Sequence, residues 1–489
     1  MNVALSTLLP DQVLPAALAA RCVSGLTLDS RRVRPGDAFI AVPGESVDGR
    51  QFIEAAVQAG ASVVIAEAAH FSVAESFGAV VVGVPALQAR VGEIAGHFYG
   101  EPAQSLDVLA VTGTNGKTST TWFLRDALQA IGRPCALVGT LGMQYADETF
   151  DTGHTTPDPI TLHAGLSQFH RAGAQAVAME ASSHALAQQR LAGVPVSVAV
   201  FTNLSRDHLD YHGDMEQYFA AKALLFARPE ISVAVLNAAD EYAVRLVETL
   251  ETHGVHVVTF GTESASVTCE QCNAYDAGMQ LVLRIDGQRI ECEVPVYGYF
   301  NAQNLMAVAA VLHGLGLAPK QIAEALARVT PVPGRMQPVA GKGPRVLVDY
   351  AHTPDALDKA LRAVREHFSG KVWCVFGCGG NRDAGKRPQM AAVAEKLADR
   401  LVLTSDNPRF EEPQSILADM LAGLRNQEAA EIQIDRRKAI ALAIASAADD
   451  DVVLIAGKGH ERWQETRGEK IPQDDVELAR AALAQRGVA

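Results

Sequence analysis

The sequence predicts an α/β protein built on open, mostly parallel sheets. Short apolar strands alternate with helical patterns from Leu106 to about Val332, and the pattern restarts at Arg345. These strands end in glycine or polar residues, and the carboxyl edge of an open α/β sheet is where ligands bind. A chain of 489 residues is too long for one core, so we expect two to four domains.

Each block of the chain has its own pattern of elements. Up to about Pro102, LTLDSRRVRPGDAFIAVPG predicts short strands with Gly and Pro turns, FIEAAVQAGA a helix and SVVIAEA a strand. The central strands are VLAVTGTNGKT, CALVGT, AVAMEASS, VAVFTNLSRDH and VAVLNAADE, followed by a more polar strand region at 265–297. TPVPGRMQPVAGKGP suits a linker. The last block contributes VLVDYAH, VWCVFGCGGNRD, LVLTSDNPR and VVLIAGKGHE.

Composition narrows the function class. The net charge of −14 disfavours nucleic acid and anionic membranes as partners, so any bound phosphate needs a local site. The first residues lack a basic n-region, and no apolar run reaches the roughly 20 residues that span a bilayer. Seven cysteines, mostly in apolar runs, indicate a reduced cytoplasmic protein. Cys269 and Cys272 have zinc-like spacing, but no second ligand pair completes it, so a plain strand is favoured.

A phosphate-binding loop is the strongest local signal. VLAVTGTNGKTST places Gly113, Gly116, Lys117 and Thr118 between a strand and a helical pattern. Glycines turn backbone N–H groups toward a phosphate, Lys117 adds charge, and Thr118 reaches a magnesium ion. The usual spacing asks for glycine where Val111 stands, so the formal pattern is not met. The remaining loop positions predicted to bind nucleotide are Thr114, Asn115 and Ser119.

Carboxylates and imidazoles follow the next strands. AVAME ends at Glu180, which suits a carboxylate that holds magnesium near the γ-phosphate, or alternatively a helix-start acid. FTNLSRDHLDYHG gathers Asp207, His208, Asp210 and His212 in one loop, where a second divalent ion is a reasonable hypothesis and zinc less so. No Asn-Lys-x-Asp motif is present, which disfavours GTPases. An ATP-dependent enzyme or a motor remains.

Many spaced motifs together resemble the Mur ligases. These are LDSRRVRPGDAF, GTNGKT, MEASSHAL, FTNLSRDHLDYHG, YFNAQNLMA, GRM, VDYAHTPDAL and AGKGHE. The resemblance implies three domains: 1–102 for the uridine end of the substrate, 103–336 for ATP, and a Rossmann-like 337–489 for the incoming amino acid. It also implies ATP and Mg²⁺ as cofactors and a monomer. The implied reaction activates the D-glutamate carboxylate of UDP-N-acetylmuramoyl-L-Ala-D-Glu as an acyl phosphate, which an amino acid's amine then attacks.

The resemblance also assigns residue roles. Lys117, Glu180, His208 and Lys222 take catalytic positions, and Thr118, Glu180, His208 and Lys222 the metal positions. Asn301 matches the contact to the nucleotide base, while Arg335 and Asp349 complete the nucleotide site. The positions that match the uridine end are Leu28, Ser30, Glu45, Ser46 and Val47, and those that match the sugar-dipeptide are Thr155, Thr156, Ser182, Gln188 and Arg190.

For Lys222, the family resemblance implies a role that the helical sequence pattern alone does not indicate. YFAAKALLF alone predicts a solvated lysine on an amphipathic helix. Mur ligases carry the matching lysine as a carbamate, formed when carbon dioxide adds to the neutral amine. The cation thereby becomes an anion that supports magnesium.

The stretch LTSDNPRFEEP is predicted to recognise the incoming amino acid. Pro408 biases Asn407 away from helix, so a stiff corner aims Arg409, whose planar fork matches a carboxylate. DNPR resembles the signature of members that add meso-2,6-diaminopimelate, whose far end carries an extra carboxylate and amine. Asp406 and Asn407 are candidates for the far amine, and the other ligand positions are Arg382, Gly457 and Glu461.

Four alternatives stay open at this point. DNPR by itself fits a surface Asx-Pro turn, and the same reaction with L-lysine is an alternative function. A folate polyglutamate ligase shares the ATP loop but does not account for LDSRRVRPGDAF or DNPR. A regulatory or motor ATPase of the P-loop class would hydrolyse ATP without either substrate.

Overall fold

The computed structural model describes residues 2–44, 47–150 and 152–486. The chain forms two compact units, Met1–Phe260 and Gly261–Ala489, which are described separately. Glu45 and Ser46, predicted at the uridine end, lie outside the described residues.

The first unit begins with a five-stranded sheet. Its order is Leu26–Thr27, Ala38–Ala41, Val63–Glu67, Ala79–Val84 and Ser72–Ser76, with only the last strand antiparallel. A two-stranded ribbon pairs Val3–Ala4 with Cys22–Val23. The α-helices of this part are Leu5–Leu8, Ala16–Ala19, Ile53–Gln58 and Leu87–Tyr99. The alternation of strands and turns predicted for this block is confirmed.

The same unit contains a larger, mainly parallel sheet. Its eight strands run in the order Glu148–Phe150, Gly142–Tyr145, Cys135–Gly139, Ala176–Glu180, Asp107–Thr112, Val196–Phe201, Val233–Asn237 and His256–Phe260. Gly142–Tyr145 is antiparallel to both of its neighbours, and the six strands from Cys135–Gly139 onward are parallel to one another. The helices are Lys117–Ala130, Pro159–Arg171, Ser183–Ala187, Leu209–His212, Met215–Ala223 and Glu241–Thr252. Glu180 pairs with Val111, so both strands end at one edge.

The second unit opens with an antiparallel sheet and a buried helix. The strands are Val267–Tyr275, Gly278–Ile285 and Gln288–Val294, as the polar strand region at 265–297 predicted. Cys269 and Cys272 lie on the first of these strands, and all seven cysteines of the chain are free thiols. The helix Tyr299–Gly314 is buried along most of its length because its residues from Leu305 to Leu312 are all apolar.

The rest of the second unit is a six-stranded sheet. Its order is Gln337–Val339, Arg345–Asp349, Val452–Ala456, Val372–Phe376, Arg400–Leu403 and Ala430–Ile432, and all strands but the first are parallel. The helices are Pro319–Leu326, Pro354–His367, Lys386–Leu397, Pro413–Leu421, Arg436–Ser446 and Asp475–Arg486. A hairpin joins Trp463–Thr466 to Glu469–Pro472. The segment predicted as a linker thus contributes an edge strand, Gln337–Val339, which pairs antiparallel with Arg345–Asp349.

The strand register brings the predicted site residues to one edge of this sheet. Ala456 pairs with both Asp349 and Phe376, and Phe376 pairs with Leu403. Four strands therefore end together, and the loops that follow them carry the polar residues predicted to bind ligand. In the described part of the chain, no helix is both long and apolar enough to cross a bilayer.

Candidate active site

The phosphate loop of the first unit depends on two glycines. Gly113 has φ +144°, and a Cβ there would lie 1.9 Å from the Thr202 hydroxyl oxygen. Gly116 has φ +87° and precedes the helix Lys117–Ala130. Both backbone conformations favour glycine. The loop consequently exposes the N-terminus of a long helix, where backbone N–H groups and the helix dipole favour a phosphate.

The loop is held from the neighbouring strand. Backbone N–H of Thr114 donates to the Asn203 carbonyl at 2.8 Å, and N–H of Asn115 donates to Asn203 Oδ1 at 3.0 Å. The Thr202 hydroxyl donates to the Asn115 carbonyl at 2.6 Å. These bonds fix the loop before any nucleotide arrives, which lowers the ordering cost of binding.

Two lysines meet at one carbonyl oxygen of this loop. Lys117 Nζ lies 2.9 Å and Lys222 Nζ 2.8 Å from the Gly113 oxygen. The Lys222 side chain is 1% exposed and its Nζ lies 4.4 Å from the centre of the Tyr218 ring. Burial, with the nearby charge of Lys117, lowers the pKa of Lys222 well below its ordinary value. The neutral amine is therefore favoured, in contrast to the solvated lysine that the helical pattern alone predicts.

Glu180 is buried beside the loop and its oxygens are aimed by hydroxyl and amide donors. Oε2 accepts from the Thr118 hydroxyl at 3.1 Å, and Oε1 accepts from backbone N–H of Thr140 at 2.7 Å. Gly139 allows this close approach, because a Cβ there would lie 2.3 Å from Oε1. A carboxylate and a hydroxyl oxygen side by side are the donors that Mg²⁺ prefers.

His208 lies at a left-handed backbone position, φ +53°, directly before the helix Leu209–His212. Its ring is half-exposed, packs edge-to-face on His184 at 4.9 Å, and has Nε2 3.6 Å from an Asp207 oxygen. Burial lowers the pKa of His208, which favours the neutral imidazole that can bind a metal. His212 instead contacts the Ser183 hydroxyl at 2.9 Å.

The loop 207–212 does not form a second metal cluster by itself. Among the described residues, no group of three or more His, Cys, Asp or Glu side chains is arranged around a metal position. The two-residue pair of Thr118 and Glu180 is the oxygen donor set that the fold pre-assembles.

The residues predicted to contact the sugar-dipeptide form one hydrogen-bonded group. Arg190 donates to Gln188 Oε1 from Nε at 2.9 Å and to the Thr156 carbonyl from Nη1 at 2.8 Å. The Thr156 hydroxyl donates to the Glu180 carbonyl at 2.8 Å and accepts from backbone N–H of Ser182 at 3.2 Å. This group therefore adjoins the carboxylate of the phosphate-loop site. Thr155 joins it through the Thr140 hydroxyl, 3.2 Å away.

Of the residues predicted at the uridine end, Leu28 and Ser30 lie beside the edge strand of the N-terminal sheet. Leu28 follows the strand Leu26–Thr27, and Ser30 begins a short 3₁₀ helix. In this helix the backbone N–H of Arg31 donates to the Asp29 carboxylate. Val47 is half-exposed. Their contact with uridine stays a prediction.

In the second unit, two predicted nucleotide residues are anchored within the protein. Asn301 is buried, its Nδ2 donates to the Tyr297 carbonyl at 2.9 Å, and its Oδ1 accepts from Asn304 at 3.1 Å. Asp349 accepts from backbone N–H of Met336 at 2.7 Å and of Ala351 at 2.8 Å. Burial raises the pKa of Asp349, while Arg335 and the two N–H donors oppose that shift.

Arg335 belongs to a stacked cluster that the motifs did not single out. Its guanidinium lies 4.5 Å from the centre of the Tyr350 ring, and the His460 ring lies 5.1 Å from Tyr350 on centroids. His460 Nδ1 is buried without a hydrogen-bond partner in the described part of the chain. Burial lowers the pKa of His460 to about 4, so the imidazole is neutral near pH 7. A planar cationic and aromatic surface of this kind suits a flat or anionic ligand.

Arg409 lies at the carboxyl end of the strand Arg400–Leu403 in a left-handed conformation, φ +51°. Its Nη1 donates to the Gly380 carbonyl at 2.8 Å, and its Nε lies 3.2 Å from a Glu465 oxygen. A Cβ added at Gly379 would lie 3.0 Å from Arg409 Nη1 and 3.8 Å from Arg382 Cγ. The structure therefore brings both predicted carboxylate readers to the two sides of Gly379.

Asn407 connects the turn to the AGKGHE loop. Its Oδ1 accepts from Lys458 Nζ at 2.9 Å and from backbone N–H of Glu465 at 2.9 Å, and its Nδ2 donates to Glu461 at 2.8 Å. Lys458 is fully buried and also contacts Glu461 at 3.0 Å. The Asn407 carboxamide is thus committed within the protein, which favours Asp406 over Asn407 as the acceptor of an amine.

Asp406 and Gly457 face each other across this edge. Asp406 Oδ1 accepts from backbone N–H of Asn407 at 2.7 Å, while Oδ2 would lie 2.7 Å from a Cβ added at Gly457. Gly457 has φ +115°, so it is required both for its conformation and for the space beside the carboxylate. Pro408 closes the same turn, and its carbonyl packs against Gly380.

A buried ion pair holds two of the loops at the carboxyl edge of the six-stranded sheet. Arg436 and Asp475 have fully buried side chains and form two hydrogen bonds, at 2.9 and 2.6 Å. Arg436 also donates to the carbonyls of Ala456 at 2.9 Å and Ser405 at 3.3 Å. These carbonyls directly precede Gly457 and Asp406, so the pair holds the two loops that carry them.

Asp475→Asn is expected to lower the free energy of unfolding of the second unit by about 3–5 kcal/mol, because it leaves a buried guanidinium uncompensated. Urea unfolding followed by tryptophan fluorescence measures this. Glu477→Gln is the control: its partner Arg480 is on the same helix but both side chains are more than half exposed, so a change below about 1 kcal/mol is expected. Equal stability of Asp475→Asn and the unaltered chain would contradict a supporting role.

Comparisons with known proteins cover almost the whole chain. Three family models match, described as Mur ligase family, catalytic domain (residues 23–99), Mur ligase middle domain (111–312) and Mur ligase, glutamate ligase domain (334–459). A curated relative from Xanthomonas campestris pv. campestris (strain 8004), named UDP-N-acetylmuramoyl-L-alanyl-D-glutamate--2,6-diaminopimelate ligase, is 48% identical over 490 residues. The alignment covers 99% of this chain and 98% of the relative.

Solved structures agree with this match. A structure of a UDP-N-acetylmuramoyl-L-alanyl-D-glutamate--2,6-diaminopimelate ligase has 35% identity and a TM-score of 0.74, with 100% of both chains covered. The structure of MurF ligase from Thermotoga maritima in complex with ADP has 19% identity and a TM-score of 0.64, with 95% of this chain and 98% of that chain covered. The second likeness shows a shared fold.

Proposed function

The chain belongs to the Mur ligase family, and from that premise we propose that it adds meso-2,6-diaminopimelate to UDP-N-acetylmuramoyl-L-alanyl-D-glutamate in peptidoglycan synthesis. The chain is an ATP-dependent ligase in this proposal. The observation that carries the choice of amino acid is Arg409, whose Nη2 has no hydrogen-bond partner in the described part of the chain and whose Nη1 shares the space beside Gly379 with Arg382.

The proposed division of labour follows the three family matches. Residues 1–102 bind the uridine end, 103–336 bind ATP, and 337–489 bind the amino acid. The model matches at 23–99, 111–312 and 334–459 support these boundaries. We propose a cytoplasmic monomer, with neither nucleic acid nor membrane as partner, since the net charge of −14 disfavours both.

The residues of the phosphate loop fit ATP and Mg²⁺. The loop offers glycines with the required backbone, a helix N-terminus and Lys117, while Thr118 and Glu180 offer paired oxygens. When bound, ATP and Mg²⁺ supply the phosphoryl group that activates the D-glutamate carboxylate and the positive charge that eases its transfer. Lys117 would turn from the loop carbonyls it now contacts to the phosphates.

Substrate positioning falls to the group around Arg190. Arg190, Gln188 and Thr156 hold one another next to Glu180, so a dipeptide bound there presents its terminal carboxylate beside the phosphate loop. No protein nucleophile is needed, because the substrate carboxylate is itself the nucleophile in the first step and the incoming amine in the second. The catalytic contribution of the chain is orientation and charge stabilisation.

Carbamylation of Lys222 is part of this proposal. The buried amine has a lowered pKa and shares one carbonyl oxygen with Lys117. Carbon dioxide reacts with a neutral amine, forming an N–C bond and releasing a proton. The resulting anion would lie beside the Lys117 cation, so the two charges would attract each other.

The test of the function is release of ADP by the purified protein. We expect release only when UDP-N-acetylmuramoyl-L-Ala-D-Glu and meso-diaminopimelate are both present. Hydrolysis of ATP without them would favour a regulatory or motor ATPase. Ligation of glutamate to a folate would favour the folate polyglutamate ligase reading, and equal use of L-lysine would remove the assigned selectivity.

A further inference from the structure

We infer that the hairpin formed by Trp463–Thr466 and Glu469–Pro472, hereafter the clamp hairpin, is a specificity element that aims Arg409, with Glu465 as the positioning residue. This inference rests on the proposed function, because it names the part of the chain that keeps the carboxylate reader in place. The sequence motifs gave no role to this segment.

The clamp hairpin fixes the backbone of Arg409 from both sides. Backbone N–H of Arg409 donates to the Glu465 carbonyl at 3.0 Å, and N–H of Arg467 donates to the Arg409 carbonyl at 2.6 Å. Arg409 has φ +51°, which is unfavourable for a residue with a side chain. An arginine persists in this conformation because these two bonds define it.

The same strand is fastened to the residues before Arg409. Gln464 Nε2 donates to the Asp406 carbonyl at 2.6 Å and to the Ser405 hydroxyl at 2.9 Å. Backbone N–H of Glu465 donates to Asn407 Oδ1 at 2.9 Å. Two adjacent hairpin residues therefore hold three consecutive residues before Arg409 against the hairpin.

Glu465 also orients the guanidinium. Its carboxylate lies 3.2 Å from Arg409 Nε, while Nη1 is held by the Gly380 carbonyl at 2.8 Å. An arginine has five N–H donors. Nη2 has no hydrogen-bond partner in the part of the chain that the structure describes, and the Arg409 side chain is 20% exposed. Glu465 thus leaves the outer edge of the fork open for a ligand carboxylate.

The consequence is selective. Loss of the Glu465 carboxylate lets the Arg409 guanidinium rotate away from the ligand position. Binding of an amino acid that carries a far carboxylate is then weaker. Binding of an amino acid that lacks that carboxylate, such as L-lysine, does not change. ATP and the UDP-linked substrate are unaffected.

The experiment measures KM and kcat for meso-diaminopimelate and L-lysine in Glu465 variants of the full chain. Glu465→Ala is expected to raise KM for meso-diaminopimelate about tenfold or more while KM for ATP stays unchanged, and to narrow the preference over L-lysine. Glu465→Gln is expected to stay within about threefold of the unaltered chain, because its amide oxygen still accepts from Nε. Glu465→Asp, which keeps the charge but withdraws it, is expected to raise KM severalfold and covers the case in which the alanine variant does not fold.

Glu412→Ala is the matched control, since Glu412 also pairs with an arginine of the clamp hairpin, Arg467, but both side chains are exposed. No change is expected. The inference is overturned if Glu465→Ala behaves like the unaltered chain, if KM for ATP rises as much as KM for meso-diaminopimelate, or if Glu465→Gln is as impaired as Glu465→Ala. Inactivity of the unaltered chain with meso-diaminopimelate would instead refute the proposed function.

Discussion

Arg409→Ala is expected to lower kcat/KM for meso-diaminopimelate by roughly 30-fold to several thousand-fold. Removing one partner of a buried charge pair costs about 2–5 kcal/mol, and each 1.4 kcal/mol corresponds to about a factor of ten. The loss should appear mainly in KM for the amino acid, because Arg409 contacts the far end of the ligand rather than the reacting amine. Steady-state ADP release, with each substrate varied in turn, measures how the loss is divided between KM and kcat.

The control for Arg409 is Arg462→Ala. Arg462 immediately precedes the clamp hairpin, but its side chain is 82% exposed and only weakly paired with Asp474. Its removal should leave all kinetic constants unchanged. Unchanged kinetics in Arg409→Ala would show that another residue, with Arg382 the first candidate, binds the far carboxylate.

Lys222→Ala is expected to lower kcat by at least about 100-fold, the usual effect of removing one group that stabilises the charge of a transition state. Acetate or formate should partly restore activity, because a small carboxylate can occupy the space of the carbamate. Lys222→Arg keeps a cation there and should not respond to acetate. The assay is ADP release with and without the added carboxylate.

The chain also permits a direct check for the modification. Residues 1–260 contain only two lysines, at positions 117 and 222, so labelled carbon dioxide trapped in this part of the chain has few sites. Full activity of Lys222→Ala without acetate would eliminate the carbamate from the mechanism. Activity of Lys222→Arg equal to that of the unaltered chain would do the same.

Much of the fold followed from local pattern. Strands such as Asp107–Thr112 and Val452–Ala456 are continuous apolar runs followed by glycine, and that pattern identifies a buried parallel strand and the edge where it ends. The α/β architecture is confirmed by these sheets and by the full-length match to a solved ligase. The segment 330–344 was harder, since its many Pro and Gly residues conceal the short edge strand Gln337–Val339.

The position of a candidate residue could be predicted where a motif coincides with the end of a strand, as at Glu180. It was not predictable where a role depends on contacts distant in sequence. Lys458 looks like a loop lysine but is fully buried on Asn407, and Arg436 occupies a helix start whose partner Asp475 is 39 residues away. The helical pattern around Lys222 predicts solvent exposure, whereas the structure buries this residue. Glu465 gave no signal because its function depends on the backbone of Arg409.

The measurement that most directly tests the central claim is a competition assay. The purified chain is incubated with ATP, Mg²⁺, UDP-N-acetylmuramoyl-L-Ala-D-Glu and equal amounts of meso-diaminopimelate and L-lysine, and the products are separated by mass spectrometry. The proposed function predicts that nearly all product carries meso-diaminopimelate, and that this excess shrinks in Arg409→Ala. Comparable amounts of the two products from the unaltered chain, or product that carries only L-lysine, would contradict it.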